Sequence, residues 1–299
     1  MLEAVLPLRR HPEGRDDDLL RAEVLLRSLE AQWRDAAPLR LHVVSPEAEC
    51  AGIAAVLDRP WRHLRPEFRA ETASLPVLTG LPAQVGGWLR QQVIKLSAHR
   101  FVGAPFFLIL DADLVALQPL GTATLVRDGR AAMDWIGRRS HPRWWDASAT
   151  VLALPNDPAG RGMGVTPQIY STPALRALEE ALRERAGGGD PWRHLLLDTG
   201  GQFDAQGWNG WTENSLYTLF CESGGLFAQY HRSEREMKAD GLRLGSPDSV
   251  WGAEGLGRWR EEPVRPVPGG CFLVIQSSSG VAAGEVARRM APLLSPWVA

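Results

Sequence analysis

Pro105-Phe106-Phe107-Leu108-Ile109-Leu110-Asp111-Ala112-Asp113 is the stretch on which the fold turns. It runs apolar without a break and then stops abruptly in two carboxylates two residues apart. A short continuous apolar run predicts a central strand covered on both faces. In sheets of parallel strands, ligands gather at the carboxyl ends, so Asp111 and Asp113 stand where a site is expected.

Working outward, the preceding residues alternate between the two element types. Glu3–Leu8 reads as a short apolar strand, followed by the loop Arg9–Arg15. Asp16-Asp17-Asp18 places negative charge at a helix start, where the dipole favours it, and Leu19, Ala22, Leu26, Leu29 and Trp33 recur at helical spacing. Leu39–Ser45 predicts a second strand and Glu47–Leu57 a second helix. A looser stretch rich in proline and arginine covers Arg59–Pro82, and Gly86-Gly87 opens a helix from Trp88 to about Arg100. This rhythm predicts an α/β fold with a mostly parallel central sheet flanked by helices. Beyond residue 113 the pattern is less regular. Ala131–Ile136 is a candidate strand, and Trp144–Leu154 a helix or a strand. Thr172-Pro173 caps a helix to Arg185 that stops at three glycines, and Thr212 caps another from Glu213 to Cys221. Phe272–Ser277 closes as a strand and Ala282–Leu294 as a helix. No repeat or low-complexity linker interrupts the chain, so residues 1–299 are read as one domain with two halves, 1–130 and 131–299.

Composition narrows the function classes. The chain has 299 residues, 44% hydrophobic and 23% charged, with a formal net charge of −2. Those values describe an ordinary globular core and remove any general electrostatic case for nucleic acid. The three cysteines lie far apart with no CxxC pair, which argues against a disulfide framework or a zinc site and for a reducing, cytoplasmic setting. The N-terminus has no basic segment ahead of a long apolar run, and no stretch approaches the ~18 apolar residues of a membrane span. Twelve tryptophans are a high load. Most such rings fill cores, but their flat faces also suit sugars and bases.

Three groups of residues are candidates for chemistry. Asp111 and Asp113 can both reach one divalent cation, Mg²⁺ or Mn²⁺, as the chain turns after the strand. On the preceding helix, Gln91 and Lys95 share a face, with Arg90 beside it. If that helix packs near the aspartates, its cations reach a diphosphate or a sugar hydroxyl, and otherwise they form a solvated face. In Trp208-Asn209-Gly210-Trp211-Thr212-Glu213, two tryptophans flank a glycine turn before a carboxylate in the first turn of a helix. Glu213 there suits a general base or an acceptor for sugar hydroxyls, or is a simple capping residue. Asp198 is a weaker carboxylate candidate.

Together, Trp88…Arg90-Gln91-Gln92…Lys95-Leu96, then Leu108-Ile109-Leu110-Asp111-Ala112-Asp113…Leu117-Gln118-Pro119-Leu120, resemble the GT-A-fold, DxD-containing glycosyltransferases, and most of all a bacterial group of glycosyltransferase-like proteins. Trp211–Tyr217 and Ile275-Gln276-Ser277 extend the likeness to most of the chain. The resemblance implies a nucleotide-sugar-binding half (1–130) and an acceptor-side half (131–299). It implies a nucleoside-diphosphate sugar donor, UDP-sugar favoured, a glycan or small-molecule acceptor, and Mn²⁺ or Mg²⁺ on Asp111 and Asp113. Leu8, Arg9, Arg90, Gln91, Lys95 and the Asp111-Ala112-Asp113 turn would face the donor. Glu213 and Asp198 would supply catalytic carboxylates, and Trp208 and Trp211 would stand on the acceptor side. The family often adds a metal-binding histidine near the C-terminus. Here no histidine follows His231, which leaves His231, Gln276 or water for that place.

Two other readings fit parts of the sequence. Leu110–Val115 matches the pattern of haloacid-dehalogenase-type phosphatases, with Asp111 as a covalent nucleophile, although there the motif lies on the first strand. A non-catalytic binder of nucleotide sugars or glycans would keep the tryptophans without needing an acid or base.

Overall fold

The computed structural model describes residues 2–10, 17–82, 85–199, 203–204, 207–208, 210–252, 255–256, 259 and 270–294. In chain order the main strands are β1 (Leu2–Pro7), β2 (Leu39–Ser45), β3 (Leu64–Ala70), β4 (Phe106–Ile109), β5 (Leu114–Ala116), β6 (Gln168–Ser171), β7 (Arg243–Gly245) and β8 (Gly270–Val274). The main helices are α1 (Asp17–Gln32), α2 (Glu47–Leu57), α3 (Gly87–Ser97), α4 (Pro142–Leu152), α5 (Thr172–Arg185), α6 (Glu213–Ser223) and α7 (Ala283–Met290). The central sheet has the order β6-β4-β1-β2-β3. Its neighbours β4, β1, β2 and β3 are parallel, and β6 runs antiparallel to β4. A second sheet, β7-β8-β5, is joined to the first by the Asp111–Asp113 turn between β4 and β5.

The strands alternate between two cores, as the two-residue period of a strand requires. Val5, Phe107 and Ile109 face a core completed by Val93 and Leu96 of α3 and by Leu175 and Leu178 of α5. Ala4, Leu6, Leu108 and Leu110 face the other, against Ala22, Leu26 and Leu29 of α1 and Phe272 of β8. Each central-strand side chain buries about 1.5–3 kcal/mol of transfer free energy on one face or the other.

Several sequence expectations shift here. The stretch Arg59–Pro82 contains β3, whose sequence Leu-Arg-Pro-Glu-Phe-Arg-Ala hides it. It pairs only with β2, so it is an edge strand, where proline and charge are tolerated. Residues 142–152 are a helix, resolving the alternative at Trp144. The cap of α5 is Ser171, whose side chain accepts the Ala174 N–H, and not Thr172. Thr212 does cap α6, in a reciprocal box with Ser215. Among the described residues no helix is long and apolar enough to cross a membrane.

Candidate functional site

At the carboxyl ends of β1 and β4 lies a cavity of about 450 Å³, a size typical of small-ligand sites. Leu8 and Arg9 enter it from the end of β1, and Asp111, Ala112 and Asp113 from the turn after β4. Gln91, Gln92 and Lys95 line it from α3, and Glu213 from the first turn of α6. Residues more than a hundred positions apart thus meet: the Glu213 N–H donates to Gln92 Oε1 at 3.0 Å. A second cavity of about 350 Å³ shares Pro7, Leu8, Arg9 and Gln91 with the first and continues along Pro46, Glu71 and Arg90.

The charges in the first cavity are mostly balanced by each other. Lys95 is 2% exposed, and its Nζ lies 2.8 Å from Asp111 Oδ1 and 3.1 Å from Glu213 Oε1. Thr166 donates its hydroxyl to Asp111 Oδ2. Burial alone would lower the Lys95 ammonium, but the two carboxylates outweigh it and raise it, so this cation stays charged. Burial raises Glu213, and Lys95 opposes that shift. Asp113 is pushed up to about 7 by burial and by the neighbouring Asp111, although its Oδ2 accepts the Ser277 N–H at 3.3 Å. Arg9 differs from the other cations. Its Nε is buried without a hydrogen-bond partner, and no carboxylate pairs with its side chain among the described residues.

The donor set suits a hard divalent cation. Two neighbouring carboxylates, with Gln276 lining the same cavity, form a donor set rich in oxygen. Among the described residues no group of three or more His, Cys, Asp or Glu could hold a metal by itself. Diphosphate oxygens and water would have to complete the shell, as Mg²⁺ commonly requires. His231 is not available for it. Its Nε2 lies 2.8 Å from the Tyr217 hydroxyl in the core, and burial pushes the ring down to about 3.

Not every sequence candidate reaches this cavity. Arg90 lines the second cavity instead, where its guanidinium is paired with Glu71 and donates to the Leu78 carbonyl at 3.1 Å. Asp198 is corrected: its carboxylate is 65% exposed and bonds His194 Nδ1 at 2.9 Å, off both cavities. Trp211 is corrected too. It has no exposed surface and packs in the core with Leu89 and Val93, so it offers no face to a ligand. The side chain of Trp208 lies outside the described residues. Sequence reading missed Trp144, Trp251 and Thr166 as lining residues, whereas Gln276, named there as a possible metal ligand, does line the cavity.

Comparison with known proteins agrees with this architecture. A family model described as a family of unknown function (DUF6492) matches residues 1–296. By sequence, no curated protein matches. The fold is similar to the apo crystal structure of mouse xyloside xylosyltransferase 1, with a TM-score of 0.53 and 13% identity over 94% of this chain and 100% of that one. It is also similar to the galactosyltransferase LgtC solved with donor and acceptor sugar analogues, with a TM-score of 0.52 and 13% identity over 99% of this chain and 97% of that one. The architecture matches the GT-A fold expected from the sequence. The phosphatase pattern places its motif on the first strand, whereas here three strand–helix units, β1-α1, β2-α2 and β3-α3, precede β4 and Asp111.

Proposed function

We propose that this chain, which belongs to the DUF6492 family, is a metal-dependent glycosyltransferase. It moves a sugar from a nucleoside-diphosphate sugar, a UDP-sugar first among them, to a hydroxyl of a glycan or small molecule in polysaccharide or glycoconjugate synthesis. The observation that carries this reading is the cavity at the ends of β1 and β4, where Asp111 and Asp113 meet Lys95, Glu213 and Arg9, a cation with no carboxylate partner among the described residues.

The nucleoside would lie along the second cavity and its diphosphate at Arg9, where the two cavities join. Asp111, Asp113 and Gln276 would hold Mn²⁺ or Mg²⁺, which when bound supplies positive charge to the departing diphosphate. Arg9 adds its own charge to those oxygens, worth about 1.5–3 kcal/mol for a hydrogen bond to a charged group. Lys95, held between Asp111 and Glu213, keeps both carboxylates fixed at the floor of the cavity. Glu213 accepts a hydrogen bond from a sugar hydroxyl, in a setting that excludes competing water. Residues 1–130 carry the donor contacts, and residues 131–299 carry the acceptor side of the same domain.

A thermal-shift screen tests this against UDP, GDP, CDP and their common sugars, with and without Mn²⁺. A ligand at a hundred times its dissociation constant stabilises the native state by about 2.7 kcal/mol. One nucleotide should give a metal-dependent shift, lost in Asp111→Asn and Asp113→Asn while the fold persists. No shift with any nucleotide, or unchanged metal dependence in both variants, would overturn the reading. Because Asp111 already has an internal cation in Lys95, a non-catalytic binder is the second reading, and it would bind the donor without turning it over.

A further inference from the structure

The first cavity carries an aromatic feature that the donor reading leaves unused. Three tryptophans, Trp88, Trp144 and Trp251, line it, and none lines the second cavity. Trp251 is 47% exposed and is the one large apolar side chain standing in solvent among the described residues. Because that ring also lines the cavity, its flat apolar face is open to whatever ligand the cavity takes.

Two of these rings are tied to opposite poles of the site. Trp144 sits on α4, which packs on α6, and the Ser148 and Ser215 hydroxyls bond across at 2.7 Å. Glu213 opens that same α6. The Trp144 ring is also stacked on His141, with centroids 3.9 Å apart and planes 10° from parallel, which holds its orientation. Trp251 follows Val250, whose N–H donates to the Val274 carbonyl and whose carbonyl accepts the Gln276 N–H. The next backbone bond on that strand runs from the Ile275 N–H to the Asp113 carbonyl. Trp144 therefore stands on the Glu213 side and Trp251 on the Asp113 side of the cavity. Amide side chains, Gln91, Asn214 and Gln276, line the space between them.

Indole faces and amide groups in one cavity match one ligand chemistry. A pyranose has an apolar C–H face that meets the negative face of an aromatic ring, and a rim of hydroxyls that pair with amides. A nucleobase would also stack, but the second cavity, contiguous at Arg9, is the one the nucleoside occupies in the reading above. An alkyl chain would leave the Gln91 and Gln276 amides facing it without a hydrogen-bonding group, whereas Asn214 already accepts from the Tyr170 hydroxyl at 2.7 Å.

Resting on that reading, we propose that Trp251 and Trp144 form the acceptor platform and that the acceptor is a saccharide, gripped by ring stacking beside Asp113 and Glu213. The test uses the full chain saturated with UDP and Mn²⁺, probed with cellobiose, lactose and N,N′-diacetylchitobiose by saturation-transfer NMR and titration. At least one disaccharide should receive saturation on the C–H hydrogens of a ring face. Trp251→Ala should weaken it at least tenfold, and Trp251→Phe should restore it to within threefold. UDP affinity should be the same in all three proteins, since Trp251 does not line the second cavity, where the nucleoside lies. Absence of binding by all three disaccharides, or affinity unchanged in Trp251→Ala, overturns the proposal. So does a loss of UDP affinity in that variant, which would give the ring to the base. The titration repeated without UDP keeps the two readings apart. If UDP fails to bind the wild type while a disaccharide still binds through Trp251, the donor reading falls and the saccharide site stands.

Discussion

Replacing Arg9 by methionine should cost ligand affinity and almost no stability. Lys95 is neutralised by Asp111 and Glu213, and Arg90 by Glu71, so neither has charge to spare. Arg9 has no such partner among the described residues, yet its Nε is buried where the two cavities join. Among the described residues its removal strands no carboxylate, and methionine preserves the apolar stem that crosses Gly87. A lost hydrogen bond to a charged phosphate costs about 1.5–3 kcal/mol. At about 1.4 kcal/mol per decade, UDP should bind roughly ten- to a hundredfold more weakly. Isothermal titration with UDP and Mn²⁺, beside a thermal melt of each protein, measures both quantities. A smaller version of the same effect is expected from Gly87→Ala. A Cβ there would stand 2.7 Å from Arg9 Nη1 and 3.3 Å from its Cδ, so the flexible guanidinium would have to move off the junction. UDP affinity within threefold of wild type in Arg9→Met would refute the reasoning. So would a melting temperature several degrees lower, which would make Arg9 a structural residue.

Lys95→Met should do the reverse and lower stability, because removing one member of a buried ion pair costs about 3–5 kcal/mol. With about 2.1 cal/mol/K of unfolding entropy per residue over 299 residues, that is a fall of about 5–8 °C in Tm. An unchanged melt would show that the two carboxylates do not depend on Lys95. Glu179→Gln tests a pH dependence away from the cavity. Burial alone would raise the Glu179 carboxyl, but His99, Arg100 and Arg183 face it, and the hydrogen bonds from His99 and Arg100 lead in holding it down at about 2. A carboxyl depressed from 4.5 stabilises the fold above its unfolded value and loses that contribution as pH falls toward 2. The variant should therefore be about 2 kcal/mol less stable at pH 7, after allowance for screening, with the gap closing between pH 4.5 and 2 in urea titrations. A constant gap would deny the ion pairs. Gly162→Ala would drive a Cβ into the Trp145 ring and to 2.8 Å from Thr218 Cγ2. Overpacking of this kind costs about 1–3 kcal/mol, which denaturant melts would resolve, and an unaffected midpoint would mean that the packing there yields.

What could be read from the sequence follows from how local each signal is. The strand ending in Asp111 is legible because a buried central strand must be apolar on both faces, and β2 and α2 have the bounds expected from their patterns. β3 is not legible because an edge strand with a proline and alternating charges has no such pattern. The carboxylate pair, Lys95 and Glu213 are recognisable as residue types placed at strand and helix ends. Their mutual pairing is not, since it depends on α3 and α6 packing against each other on one face of the sheet, with Lys95 and Glu213 118 positions apart in the chain. Tryptophans expose the same limit. A ring at Trp211 or Trp251 reads alike in the sequence, and only the packing decides that one is fully buried and the other 47% exposed.

Lysine usage sharpens the point about charge. Of 33 basic residues only two are lysines, Lys95 and Lys238, so arginine is the ordinary basic residue of this chain. Lys238 is exposed and pairs with Glu234 one helical turn away, where either side chain would serve. Lys95 sits where arginine would not. A compact ammonium can stand at 2.8 Å from Asp111 and 3.1 Å from Glu213 while donating to Thr166 at 3.4 Å. A planar guanidinium with donors fixed in a fork cannot converge on three acceptors around one point, and it needs more volume in a place that is 2% exposed. The same geometry explains the division of labour among the cavity cations. Lys95 is spent on holding two carboxylates together, which leaves the longer Arg9, with no carboxylate partner among the described residues, as a cation with charge left for a ligand.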